Sequence, residues 1–165
     1  MEALNQQTET TKQVISKNEL LEHWQGHRLL TRRVIQAFPE KDFFEFSIGG
    51  MRPMAELAME LLGIAAPGLR EIINPGTTEL QEHFDHGNRK EKILEKWDEE
   101  TKLINKLWEQ VPLEKFHKHQ KIFGQYEGTG ISHILYFIDN EIHHRGQGYV
   151  YLRALGIEPP FFWER

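Results

Sequence analysis

Apolar positions recur at helical spacing in four stretches of this chain, each bounded by turn-forming residues. Leu20, Leu21, Trp24, Leu29 and Val34 make the first stripe. Ser16 and Glu19, three apart, form a capping box ahead of it, and Phe38-Pro39 marks its end. The second stripe, Met54, Leu57, Ala58, Leu61, Leu62 and Ala65, follows Gly49-Gly50 and opens with Pro53, whose fixed φ suits a first helical position. Pro67-Gly68 is expected to end that helix, with a short helical turn over 69–73 before the Asn74-Pro75-Gly76 turn. The third stripe runs through Ile93, Leu94, Trp97, Leu103, Ile104, Leu107 and Trp108; Asn88 with Glu91 is expected to cap it and Pro112 to stop it. Residues 113–130 are charged, aromatic and punctuated by glycine, and read as a loop with room for short extended pieces. A fourth helix is expected over residues 131–155, closed by Gly156 and Pro159-Pro160. Four long amphipathic segments without a clear strand pair predict an all-α chain, a four-helix bundle with connections long enough to cross over.

Composition narrows the partners. A chain of 165 residues with 39% hydrophobic and 11% aromatic residues suffices for one core. A flexible polar N-terminal segment, 1–16, is expected ahead of a single domain, 17–165. The net charge is −5 and the basic residues are scattered, so the clustered positive face of a nucleic-acid binder is missing. There is no cysteine, which removes disulfides and thiolate chemistry and agrees with a reducing cytoplasm. The polar first residues hold no signal core, and no run approaches the ~20 apolar residues of a membrane span. The chain therefore reads as soluble and cytoplasmic, with neither membrane nor nucleic acid as partner.

The fourth helix carries the chemistry. Ile134, Phe137, Ile138, Glu141, His144, Gly148, Leu152 and Leu155 share one broad face, interrupted by Glu141 and His144. Asn140 borders that face and His143 points away from it. A buried ionised carboxylate without a partner costs several kcal/mol, so Glu141 requires a metal ion, an arginine or a shifted pKa. Arg145 is the non-metal partner suggested by sequence. Gly146 and Gly148 each cost roughly 1 kcal/mol relative to alanine inside a helix, which predicts a close approach by a neighbouring helix or a second copy.

The remaining candidates read more plainly. His23 and His27 are four apart, a metal-ligand spacing, but with Trp24 and Arg28 among them a surface or groove role is favoured. His83, His86, His117 and His119 are expected as polar surface. His133 is expected to cap the start of the fourth helix rather than line a cavity. Tyr151, two turns after His144, is the tyrosine best placed to orient a substrate. Phe161-Phe162-Trp163 is expected either to fold back on the bundle or to cover a homodimer partner.

His144-Arg145-Gly146-Gln147, with Leu152-Arg153, Gly156 and Pro159-Pro160, resembles the C-terminal signature of the DinB-like superfamily. Leu20-Leu21-Glu22-His23-Trp24 and Arg52-Pro53 extend the resemblance over most of the chain after Lys17. The resemblance implies one divalent metal held by three histidines, one on the second helix and an i, i+4 pair before the Arg-Gly-Gln. Those positions fall on Glu60, Asn140 and His144. Two readings follow. In one, Glu60, Asn140 or Glu141, and His144 hold a Zn, Ni, Mn or Fe ion with an oxygen-rich ligand set. In the other, the metal is lost, and Glu60, Glu141, His144 and Arg145 form a buried ionic network.

The resemblance therefore implies a metal-dependent hydrolase or thiol transferase acting on a small molecule, with a low-molecular-weight thiol as cosubstrate. Glu141 would then be a ligand or the general base, and Arg145 would hold an anionic substrate or Glu141. The alternative is a non-catalytic bundle that binds a ligand or assembles as a dimer.

Overall fold

The computed structural model describes residues 14–165, so most of the expected flexible segment 1–16 lies outside the described residues. Helices α1 (Lys17–Ala37), α2 (Glu40–Glu45), α3 (Met54–Ile73), α4 (Lys90–Gln110) and α5 (Leu113–His117) precede a hairpin of β1 (His119–Ile122) and β2 (Tyr126–Thr129), and α6 (Gly130–Ala154) closes the chain. Four helices form the bundle. Both α1 and α3 pack against α4 and α6, which gives the cyclic order α1, α4, α3, α6. The connections from α1 to α3 and from α4 to α6 therefore cross between diagonal positions, as a crossover bundle requires. No described helix is long and apolar enough to cross a membrane.

Local chemistry accounts for several boundaries. Ser16 Oγ accepts from Glu19 N–H at 3.1 Å and Glu19 accepts from Ser16 N–H at 2.7 Å, so the capping box forms as written in the sequence. Gly156 takes a left-handed φ of 76° just past α6. Other boundaries differ from expectation. Helix α3 continues through Pro67 to Ile73, because the turn that follows is worth more buried than released: Leu69 and Ile72 are fully buried, and Gly68 lies against the Phe137 ring. Asn88 does not cap α4. It sits at φ 52° in a turn, and the first N–H of the helix, on Lys90, donates to Glu40 of α2 at 3.3 Å. The 113–130 segment contains α5 and an antiparallel pair, with His119 opposite Thr129 and Ile122 opposite Tyr126. Only Ile122 of that hairpin is fully buried, too little periodic signal for a strand pair to stand out.

The core is split. One cluster joins Leu20 and Trp24 to Ile64–Ile72, Ile104–Val111 and Ile134–Ile138. The other joins Val34–Phe38 to Met54–Leu62, Ile93, Trp97, Tyr151 and Leu152. The N-terminal half of α1 thus lies at the same end as the C-terminal halves of α3 and α4 and the N-terminal half of α6. Helices α3 and α4 consequently run in the same direction, and residues 74–89 must return along the length of the bundle. That return presses on α3 at Gly63, where a Cβ would stand 2.5 Å from the Gln81 carbonyl oxygen.

One further expectation holds in part, and the fold-back of the C-terminal aromatics is corrected. Something does approach Gly148, namely Met54 and Val34, so a Cβ there would meet Met54 Sδ at 2.9 Å; Gly146 has nothing near it. The Phe161-Phe162-Trp163 aromatics do not bury against the bundle. They stay 48–65% exposed, with Phe161 and Trp163 stacked 4.8 Å apart, while Arg165 returns beside Gly26 and His27 of α1.

Candidate functional site

Between the two apolar clusters lies a polar layer, and its groups sort into two separate networks. The inner network centres on Glu141 and Arg28, both buried. Thr31 Oγ1 donates to Glu141 at 2.6 Å, and Arg28 Nη1 stands 3.7 Å from the other carboxylate oxygen. Arg28 also donates to Thr101 Oγ1 and the Trp97 carbonyl, with its guanidinium 3.8 Å from the Trp97 ring centre. Burial pushes the Glu141 carboxyl up and the Arg28 guanidinium down, each against the pull of the other.

Glu141 therefore pairs with Arg28 rather than Arg145. Arg145 donates instead to the His27 carbonyl at 3.2 Å, Thr31 Oγ1 at 3.1 Å and His27 Nδ1 at 2.9 Å. His27, expected at a surface or groove, is 4% exposed. Burial, followed by the neighbouring charges of Arg145, His23 and Arg165, lowers its pKa to about 3. Arg145 donates to Nδ1, while Nε2 lies 3.2 Å from His23 Nε2 and 3.0 Å from Arg165 Nη1, so both ring nitrogens face an arginine donor. These contacts hold α1 against α6.

The outer network brings Glu60, Asn140 and His144 together. Glu60 Oε1 accepts from Asn140 Nδ2 at 3.1 Å and from His144 Nε2 at 3.0 Å, while Oε2 pairs with Arg52 Nη2 at 2.5 Å. Burial pushes the Glu60 carboxyl up, but donors from Arg52, Asn140 and His144 outweigh it and hold the group below the usual carboxylate range. Arg52 is itself positioned by Tyr151, whose hydroxyl donates to the Arg52 carbonyl at 2.9 Å. Tyr151, expected to orient a substrate, faces that carbonyl instead.

Donor separations near 3 Å are those of neighbouring ligands on one ion, which raises the question of whether these residues fit the implied metal. They do not fit. An ionised carboxylate only accepts, so His144 Nε2 must carry a hydrogen in its bond to Glu60 and has no lone pair to offer; Nδ1 is buried without a partner. Glu60 is the only carboxylate of the trio, and Arg52 already neutralises it. Glu141, three residues before His144 on the same helix, belongs to the inner network. No three His, Cys, Asp or Glu residues are arranged to hold a metal ion among the described residues.

Glu60 is also the floor of a cleft of about 550 Å3, walled by α3, the 74–89 return, the β1–β2 hairpin and the first turns of α6. Phe123, Tyr126, Tyr136 and Phe137 give it aromatic walls; Glu82, Glu127, Ser132 and His133 add polar groups, and neither lysine nor arginine lines it. Neither Glu141 nor Arg145 reaches this lining. His133 was expected to cap the helix, but Thr129 does so, accepting from Ser132 N–H at 3.2 Å, and His133 faces the cleft. The sequence carried a signal for this: His133, Tyr136 and Asn140 follow one another at helical spacing. The parts of the cleft supplied by residues 80–82 and by the hairpin carried none.

The comparisons with known proteins agree with the architecture. A DinB-like protein from Bacillus subtilis has a solved structure that matches with a TM-score of 0.72 at 20% identity, over 90% of this chain and 100% of that one. A DinB-like protein from Bacillus cereus ATCC 10987 matches with a TM-score of 0.70 at 14% identity, over 88% of this chain and 97% of that one. At those identities the likeness is one of fold. No curated protein matches the chain. The family model described as the DinB family matches residues 6–164, nearly the full sequence, and the chain belongs to the DinB family.

Proposed function

We propose that this chain is a metal-independent member of its family that binds a small organic molecule in the cleft above Glu60. The observation that carries this reading is the sharing of Glu60 among Arg52, Asn140 and His144. A guanidinium occupies the role of the cation, and the trio becomes a hydrogen-bonded polar floor in place of a ligand set. Such a floor keeps one carboxylate ionised and oriented at the base of an aromatic-walled cleft, an arrangement suited to recognition.

A metal-dependent hydrolase or thiol transferase would require Glu60 to leave Arg52 and His144 to lose its Nε2 hydrogen. It would also need a base in reach of the substrate, whereas Glu141 lies in the separate network with Arg28 and Thr31. The test is equilibrium dialysis of untagged protein against Zn, Ni, Mn and Fe(II), followed by elemental analysis beside His144→Ala. The proposal predicts no stoichiometric ion in either protein. One ion per chain that disappears in the variant would overturn it.

A further inference from the structure

Resting on that reading of the cleft, the chemistry of its walls points to a ligand class. We propose that the cleft takes an organic ammonium ion carried on an apolar body, its N–H groups received by Glu82 and His133 and its body by the rings of Tyr136 and Phe137. Three carboxylates line the cleft, and two have cationic partners: Glu60 has Arg52 at 2.5 Å and Glu127 has Lys121 at 2.9 Å. Glu82 has no ion-pair or hydrogen-bond partner among the described residues. The lining therefore carries one uncompensated negative charge and no fixed positive one, which favours a monocation and disfavours an acid.

His133 supplies the second, independent observation. It is 7% exposed, and its Nε2 lies 3.4 Å from the Gln120 carbonyl oxygen. A carbonyl can only accept, so Nε2 holds the hydrogen and Nδ1 of the imidazole is left as the acceptor. Nδ1 has no partner among the described residues. An unpaired acceptor on the wall of a cleft is satisfied by a ligand that donates, as an ammonium does with its N–H groups. Tyr136 joins the two halves of the site. The charges of both Glu60 and Glu82 reach its phenol and, after burial, help to push its pKa up. A cation beside that ring gains from both carboxylates and from the ring face.

The return segment places Glu82 there by a steric lock. Because Gly63 has no side chain, the backbone of Gln81 and Glu82 settles directly on α3, within 3.1 Å of where a Cβ would stand. The experiment titrates full-length protein, by calorimetry and by NMR, with a pair of probes that share a ring and differ in charge, 2-phenylethylamine and 3-phenylpropionate. The amine is expected to bind saturably, one per chain, and the carboxylate to bind at least about tenfold more weakly, the size of one charge-assisted contact. Glu82→Gln, on a surface segment, and His133→Phe are each expected to weaken the amine by a similar factor. If both probes bind alike, or if Glu82→Gln leaves the amine unchanged, the ammonium assignment is overturned while the cleft reading stands. If neither probe binds, both fall.

Discussion

Arg52 and Glu60 face each other across the first two turns of α3, with Nη2 2.5 Å from Oε2, and this pairing decides what the polar layer of the bundle can hold. Glu60 Oε1 is left to Asn140 and His144, so a constellation with ligand-like spacing is closed on itself. The exposed Arg52 side chain stays in place because Tyr151 holds the backbone from which it projects.

The inner network is expected to be structural. Glu141→Gln keeps the acceptor for Thr31 and removes the carboxylate nearest Arg28, leaving a buried guanidinium short of its charge partner. Denaturant unfolding should show a loss of about 3 kcal/mol, the usual cost of breaking a buried pair. Affinity of the cleft for 2-phenylethylamine should not change. A variant of wild-type stability that loses ligand affinity would instead place Glu141 in the site.

Stability should fall as the pH drops below neutrality, and His27 is the named cause. In the unfolded chain its imidazole takes a proton near its ordinary 6.5, while in the folded protein its pKa is about 3. Folded pKa below unfolded pKa means the contribution is complete above pH 6.5 and declines as pH falls toward 3. The slope is at most about 1.4 kcal/mol per pH unit from one such group. Thermal unfolding measured from pH 7 to pH 5 should give a shallower decline for His27→Gln than for wild type; equal slopes would remove His27 from the explanation. Glu60 and Glu71, both held below the ordinary carboxylate value of 4.5, add their own losses only at lower pH.

Gly63→Ala is expected to act on the cleft from outside it. The added methyl meets the Gln81 carbonyl oxygen at 2.5 Å, so the return segment must lift and carry Glu82 with it. Binding of 2-phenylethylamine should weaken several-fold, and stability should fall by about 1–3 kcal/mol as in other overpacked sites. Amide exchange confined to residues 79–84 would report the displacement; unchanged exchange there would show that the segment does not rest on Gly63.

What could be read before the structure was known divides along physical lines. The capping box at Ser16 and Glu19 and the stop at Gly156 are local, and local chemistry settles them. Pro67 misled because a proline predicts a helix end only when the following turn gains little from burial, and Leu69 and Ile72 gain a great deal. Glu71 shows the same limit. It is buried at the end of α3, where its carboxylate accepts backbone N–H groups from Gly76, Thr77, Thr78 and Phe123, tying two loops that no periodicity connects. The meeting of Glu60, Asn140 and His144 was legible only through family resemblance. Arg52 belongs to the Arg52-Pro53 motif, eight residues before Glu60, and nothing in that spacing marks it as the partner of the carboxylate.

The most direct measurement is metal content per chain for wild type and for the double variant Glu60→His with Asn140→His, which restores a three-histidine set with His144 at positions the fold already brings together. Wild type is expected to retain no stoichiometric divalent ion after dialysis against zinc, whereas the double variant, freed of the Glu60 bridge to Arg52, is expected to retain one. Stoichiometric zinc in wild type, lost on His144→Ala, would contradict a metal-independent site.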